Sequence, residues 1–139
     1  RIGLAAARAL GVAWRAQVSG YPTLSLVAAM ARSGEAKPVT VCMSGGHGEW
    51  FVQDFAADGL PETELVSLSP EAAEARGAHK VVAGSQADAL CARLGSPHTP
   101  IPLLPDARHT ASLPPAILTD TLSPLYGRAP DAKPAKPRP

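Results

Sequence analysis

A layered α/β domain is what the sequence predicts, on three observations. From Val39 onward, short apolar strands alternate with short helices, the order that builds a sheet with helices packed against it. Ahead of them stand two apolar helical segments joined by a Gly- and Pro-containing loop. The chain has 139 residues, 45% of them hydrophobic, which is room and material for one core.

The opening helix runs to about Gln17. Arg1, Arg8 and Arg15 fall seven residues apart and line one narrow stripe, while Ile2, Leu4, Leu10, Val12, Ala13 and Trp14 surround the rest. Such a helix needs cover on more than one side. Gly3, Ala7 and Gly11 recur every four residues, laying a ridge of minimal side chains that admits close approach by another backbone. Each interior glycine costs about 1 kcal/mol relative to alanine, so close packing is the compensation expected. The cover is either a sheet of the same domain or another subunit. The chain opens part-way into this helix without a start methionine, which suggests a fragment of a longer protein.

Gly20 and Pro22 break the first helix. Thr23 then serves as an N-cap for a second helix to about Arg32, with Leu24, Val27, Ala28 and Ala31 at helical spacing and Ser33-Gly34 as its stop. Two helices joined so closely are expected to pack on each other.

Val39 to Met43 reads as a buried strand, and Glu49 to Phe55 as its hairpin partner, with Trp50, Val52 and Asp54 on one face and Phe51, Gln53 and Phe55 on the other. Gly45, Gly46 and Gly48 supply the turn. Leu65 to Leu68 is a third strand. Ser69 caps a helix with Pro70 in its first turn and Glu71 and Glu74 near its positive end. Lys80 to Ala83 is a fourth strand, followed by Gly84 and a helix from about Ser85 to Leu94. From Pro97 onward lie eleven of the fifteen prolines, so that stretch holds no long helix: a short one over Asp106 to Leu113, then an extended run from Thr121 to Arg128 anchored by Leu122, Leu125 and Tyr126. The tail beyond Ala129 lacks large apolar residues and is expected to be disordered.

Chemistry is sparse. Cys42 lies in an apolar strand and Cys91 in a helix, so both read as small buried residues in a reducing compartment. His47, His79, His98 and His109 are scattered without a second ligand at metal spacing. The VVAG-to-helix turn at Gly84 lacks the glycines, lysine and hydroxyl that grip phosphate, and reads as an ordinary strand-to-helix turn. A net charge of +1 argues against a broad nucleic-acid surface. No apolar run approaches a membrane span, and no signal-peptide pattern is present.

The order RIGLAAARAL, YPTLSLVAAMA, then VTVCMSGGHGEWFVQDF with Gly48, Glu49 and Phe51 at a GE-x-[YF] signature, then LSPEAAEA, VVAGSQADAL and PLYGRAPDAKP, resembles the TsaB (YeaZ) family of tRNA threonylcarbamoyladenosine biosynthesis proteins. The resemblance spans nearly the whole chain. One departure is clear: many members carry an Asp-Ala-Arg turn before the signature, where this chain has Ser44, Gly45 and Gly46, so any role of that arginine does not carry over.

The resemblance implies an actin-like ATPase (ribonuclease H-like) fold in partial form, lacking the N-terminal strands of the first lobe. Residues 1–34 would be the helix pair of the first lobe and the partner-binding part, 35–128 the second-lobe α/β domain with its C-terminal return, and 129–139 a disordered tail. It implies a non-catalytic, cytoplasmic scaffold subunit with no cofactor or metal of its own, pairing with a TsaD-like catalytic subunit, joined by a TsaE-like ATPase, and meeting tRNA only through the complex. The expected interface residues are Gly3, Ala7, Leu10, Gly11, Trp14, Val27 and Met30. Two alternatives stay open: a fragment of an actin-like-fold enzyme (ATPase, sugar kinase or glycoprotease-like), and a self-associating homodimer with no TsaD contact. A chain lacking sheet strands would also expose an edge and an apolar face that invite aggregation.

Overall fold

The computed structural model describes residues 2–127, so the expected tail at 129–139 lies outside the described residues. Helices α1 (Ile2–Trp14) and α2 (Thr23–Arg32) come first. Strands β1 (Val39–Gly46), β2 (Glu49–Phe55) and β3 (Val66–Leu68) follow, then α3 (Pro70–Arg76), β4 (Val81–Ala83), α4 (Ala87–Leu94) and β5 (Thr99–Ile101). Two 3-10 turns, Ala107–Ser112 and Pro115–Ile117, precede an extended C-terminal segment.

The five strands form one mixed sheet in the order β3-β2-β1-β4-β5. β1 and β2 are an antiparallel hairpin in which Val39 faces Phe55 and Cys42 faces Val52. Its two-residue turn, His47 and Gly48, has φ of 53° and 79°, the left-handed backbone that a tight hairpin demands. β4 runs parallel to β1, and β5 parallel to β4.

Alternation along the strands divides the core into two layers. On one face, Val39, Val41, Phe55 and Ala83 pack under Leu24, Val27, Ala28 and Ala31 of α2. On the other, Cys42, Trp50, Val52 and Val82 pack under Ala73 of α3 and Ala87, Leu90 and Cys91 of α4. The expected face assignment of β2 is therefore found. α2 is covered on its outer side too, where Leu26 and Ala29 meet Leu113 beside Met30 and Ile117.

Several local expectations are met with small changes. Ser69 caps α3, its hydroxyl accepting from the Ala72 amide at 3.2 Å. Asp106 caps the first 3-10 turn by accepting from the Arg108 amide at 2.9 Å. For α2 the cap falls on Pro22 with no side-chain bond, and Thr23 is the first helical residue instead. Gln86, not Ser85, precedes α4. The two opening helices do not pack broadly on each other, a correction to the expectation, because α2 is enclosed by the sheet on one side and by Leu113 on the other.

A polar network joins β1, β2 and the end of α3. Asp54 accepts from both terminal nitrogens of the Arg76 guanidinium, Nη1 and Nη2, at 3.2 and 2.5 Å and from the Thr40 hydroxyl at 2.6 Å. Thr40, fully buried, accepts in turn from the His79 amide at 2.8 Å. Thr63 accepts from Arg76 and from the Asp54 amide. At its rim His79 pairs with Glu62 at 2.6 Å. Every member is satisfied, which is the condition under which a part-buried polar cluster stabilises.

Candidate interface on the first helix

Helix α1 is built from apolar residues yet presents most of them to solvent: Ile2 is 88% exposed, Val12 82% and Trp14 71%. Only Gly11 is buried. A 13-residue helix with two glycines and no carboxylate in its first turn gains little from its own backbone, so its outward apolar face is a cost that a covering surface would remove.

The expected interface residues divide into three groups. Gly3, Ala7, Leu10 and Trp14 share one face of α1, spaced four, three and four apart, the repeat with which one helix packs against another. On that face a side chain added at Gly3 would meet nothing within 4 Å, and Leu10 is 45% exposed. Gly11 lies just beside it but is turned inward, where an added Cβ would stand 2.4 Å from Val18 Cγ2; its smallness serves the turn that follows the helix. Val27 is fully buried on the core-facing side of α2, so the structure corrects its assignment: it is held inside the domain rather than offered to a partner, while Met30 is half-buried beside Leu113. Of the exposed residues that the interface prediction left out, Ile2 extends the apolar surface of α1 around its outer side, and Val12 stands beside Arg8 and Arg15.

Arg8 sits at the margin of this surface and donates to the Leu122 carbonyl at 2.7 Å. With Leu4 and Ala5 it faces Leu122, Pro124 and Tyr126 across a shallow open groove.

Elsewhere the chemistry is that of a packed domain. Burial, reinforced by the neighbouring Cys91, pushes the Cys42 thiol up to about 12, which leaves it protonated and a poor nucleophile at neutral pH. The Cys91 thiol is also raised, by burial and then by Asp88. Both cysteines are free and buried, as expected. His47 is in the hairpin turn, His79 pairs with Glu62, His98 contacts the Gly95 carbonyl and His109 lies in a 3-10 turn, so the fold does not gather them. Among the described residues no group of three or more His, Cys, Asp or Glu could hold a metal ion. Among them, too, no helix is long and apolar enough to cross a membrane.

No family model and no curated protein matches the chain. Solved structures do. A crystal structure described as an uncharacterized protein with similarity to peptidase YeaZ from Pseudomonas aeruginosa superposes with a TM-score of 0.62 at 21% identity, covering 81% of this chain and 56% of that one. YeaZ from Pseudomonas aeruginosa superposes with a TM-score of 0.61 at 21% identity, covering 81% of this chain and 57% of its own. The α/β fold implied by the sequence resemblance is thus the fold found, and the chain spans little more than half the length of these structures.

Proposed function

We propose that this chain is a TsaB-type accessory subunit: a non-catalytic, cytoplasmic scaffold whose first helix meets a TsaD-like catalytic subunit in tRNA N6-threonylcarbamoyladenosine modification, with a TsaE-like ATPase joining the same complex. The observation that carries the reading is the face Gly3, Ala7, Leu10 and Trp14, apolar, open and at helix-packing spacing, on a chain with the fold of YeaZ. Small residues at two of the four positions let a partner helix approach closely, and Leu10 and Trp14 supply apolar area to bury. Burying one such side chain contributes about 1.5–3 kcal/mol when it starts fully exposed, so a helix pair centred here is a plausible source of specific affinity. The protonated, enclosed Cys42 and Cys91 fit a subunit that leaves covalent chemistry to its partner.

Co-purification of tagged chain with the TsaD of its own organism tests this, wild type beside Leu10→Glu. Glutamate keeps the helix while placing a charge on the open face. Stable one-to-one association, weakened at least about 30-fold in the variant, is expected from roughly 2 kcal/mol of lost burial and added desolvation. A folded, soluble chain that fails to associate with TsaD refutes the reading.

A second reading, self-association, draws on the same open face, since an apolar patch that packs on a related surface can pack on itself across a two-fold axis. Mass measured in the absence of TsaD separates the two: a concentration-dependent dimer abolished by Leu10→Glu favours the homodimer.

A further inference from the structure

We infer that residues 119–127 form a strap that holds α1 in place with its apolar face outward, so that release of the strap withdraws the helix from any partner. The inference rests on the interface reading for its consequence and on geometry alone for the strap itself.

Among the described residues, helix α1 packs broadly against no other helix or strand. The polar links that tie residues 8–20 to the rest of the domain run instead to the C-terminal segment. Gly20 and Thr119 exchange two backbone hydrogen bonds, at 2.7 and 3.0 Å, as an isolated antiparallel bridge. Asp120 accepts from Gln17 at 3.3 Å and from the Ser19 hydroxyl at 3.2 Å. Leu122 accepts from Arg8 and reaches back to the Gly20 backbone, where an added Cβ would stand 3.1 Å from Leu122 Cδ2.

The far end of the segment is fixed to the sheet. Gly127 lies so close to Phe51 and Leu65 that an added Cβ would stand 2.7 Å from the Phe51 ring and 3.1 Å from Leu65. One short extended run therefore connects α1 to the outer half of the β1–β2–β3 surface. The faces of α1 divide accordingly: Leu4 and Arg8 turn toward the strap, whereas Leu10 and Trp14 turn away.

Two physical consequences follow. A 13-residue helix carrying Gly3 and Gly11 is marginal on its own, so α1 needs the strap to stay folded. The links to the strap are few and solvent-exposed, which places α1 at the low-stability end of the domain, able to open without the core. The strap pre-organises α1; a partner meeting the strapped helix is spared the cost of ordering it.

Hydrogen exchange read by mass spectrometry on the full chain tests this, with wild type, Leu122→Asp and Asp120→Ala compared. Leu122 belongs to none of the three buried clusters, so Leu122→Asp is expected to leave the β1 and β2 amides protected while α1 amides exchange at least about tenfold faster. If Leu122→Asp also deprotects β1 and β2, Asp120→Ala decides, with faster exchange confined to residues 2–20 expected. Unchanged α1 exchange in a folded variant, or a wild-type α1 already unprotected, overturns the inference. TsaD affinity is measured on the same samples. Faster α1 exchange with weaker TsaD binding supports both the strap and the interface; faster exchange with TsaD binding absent in wild type leaves the strap standing and removes the interface.

Discussion

Replacing Thr40 with valine keeps the volume of a fully buried side chain and removes one hydroxyl, so the loss it causes is set by hydrogen bonding rather than packing. That hydroxyl donates to Asp54 at 2.6 Å and accepts from the His79 amide at 2.8 Å. Losing the bond to a carboxylate costs about 1.5–3 kcal/mol, and an amide left without its acceptor about 1–3 kcal/mol more if it stays dry. Asp54 retains Arg76, and His79 is partly exposed, so both costs fall at the low end and Thr40→Val should destabilise by about 2–3 kcal/mol. Thr40→Ser keeps the hydroxyl and loses a methyl from a closed site, a cost of about 1 kcal/mol. Urea unfolding of the three proteins measures the difference directly. The network account requires valine to be worse than serine. If serine is the more damaging, or if valine costs under about 0.5 kcal/mol, the hydroxyl is not holding β1 to β2 and α3, and the reasoning fails.

Other changes are as specific. Gly84→Ala should cost about 3 kcal/mol or more, because φ is 118° and the new Cβ would stand 2.3 Å from the Cys42 carbonyl oxygen; chemical denaturation reads it, and a cost under about 1 kcal/mol contradicts the geometry. Gly11→Ala should loosen the turn after α1 through collision with Val18, and Val18→Ala in the same chain should restore much of the loss, a coupling that a double-mutant cycle of thermal midpoints detects. The folded Cys42 thiol titrates near 12 against an ordinary value of 9.0, so its contribution to stability is intact below about pH 9 and declines as pH rises toward 12, because the unfolded chain releases that proton first. Stability measured across that range should therefore fall less steeply in Cys42→Ala than in wild type, by up to about 1.4 kcal/mol per pH unit; identical slopes would show that the thiol is not enclosed.

Most of the α/β architecture was legible because its signals are local. β2 was read to its ends, since Trp50 and Val52 alternate with Phe51 and Phe55 and glycines stand before it. Ser69-Pro70 marked α3 by cap chemistry alone. β5 was not read, because Pro100 at its centre argues against a strand unless the strand lies at an edge, and sheet order is a tertiary fact. The candidate interface was half legible for a similar reason. Helical periodicity put Gly3, Ala7 and Gly11 on one ridge, and the resemblance added Leu10, Trp14, Val27 and Met30, but an apolar residue at helical spacing has the same signature whether it faces a partner or its own sheet. Val27 went to the interior on that ambiguity. Gly11 shows a further limit: it was small for Val18, seven residues away around a turn whose geometry no spacing rule contains. The Asp54 network escaped notice because its members, from Thr40 to His79, meet only once β1, β2 and α3 are assembled.

The two open borders of the sheet behave differently toward a passing extended chain. In β5, Thr99 donates its amide inward to Lys80 and Ile101 accepts inward from Gly84, which leaves position 100 as the one turned outward. That position is proline, and Pro102 follows two residues later, so the amide hydrogens a docking strand would seek on this border are missing from the covalent structure itself. At the other border, Val66–Leu68 runs for only three residues, too short a rail for lasting attachment. Sheet-to-sheet stacking of copies through their rims is thereby discouraged by composition on one side and by brevity on the other.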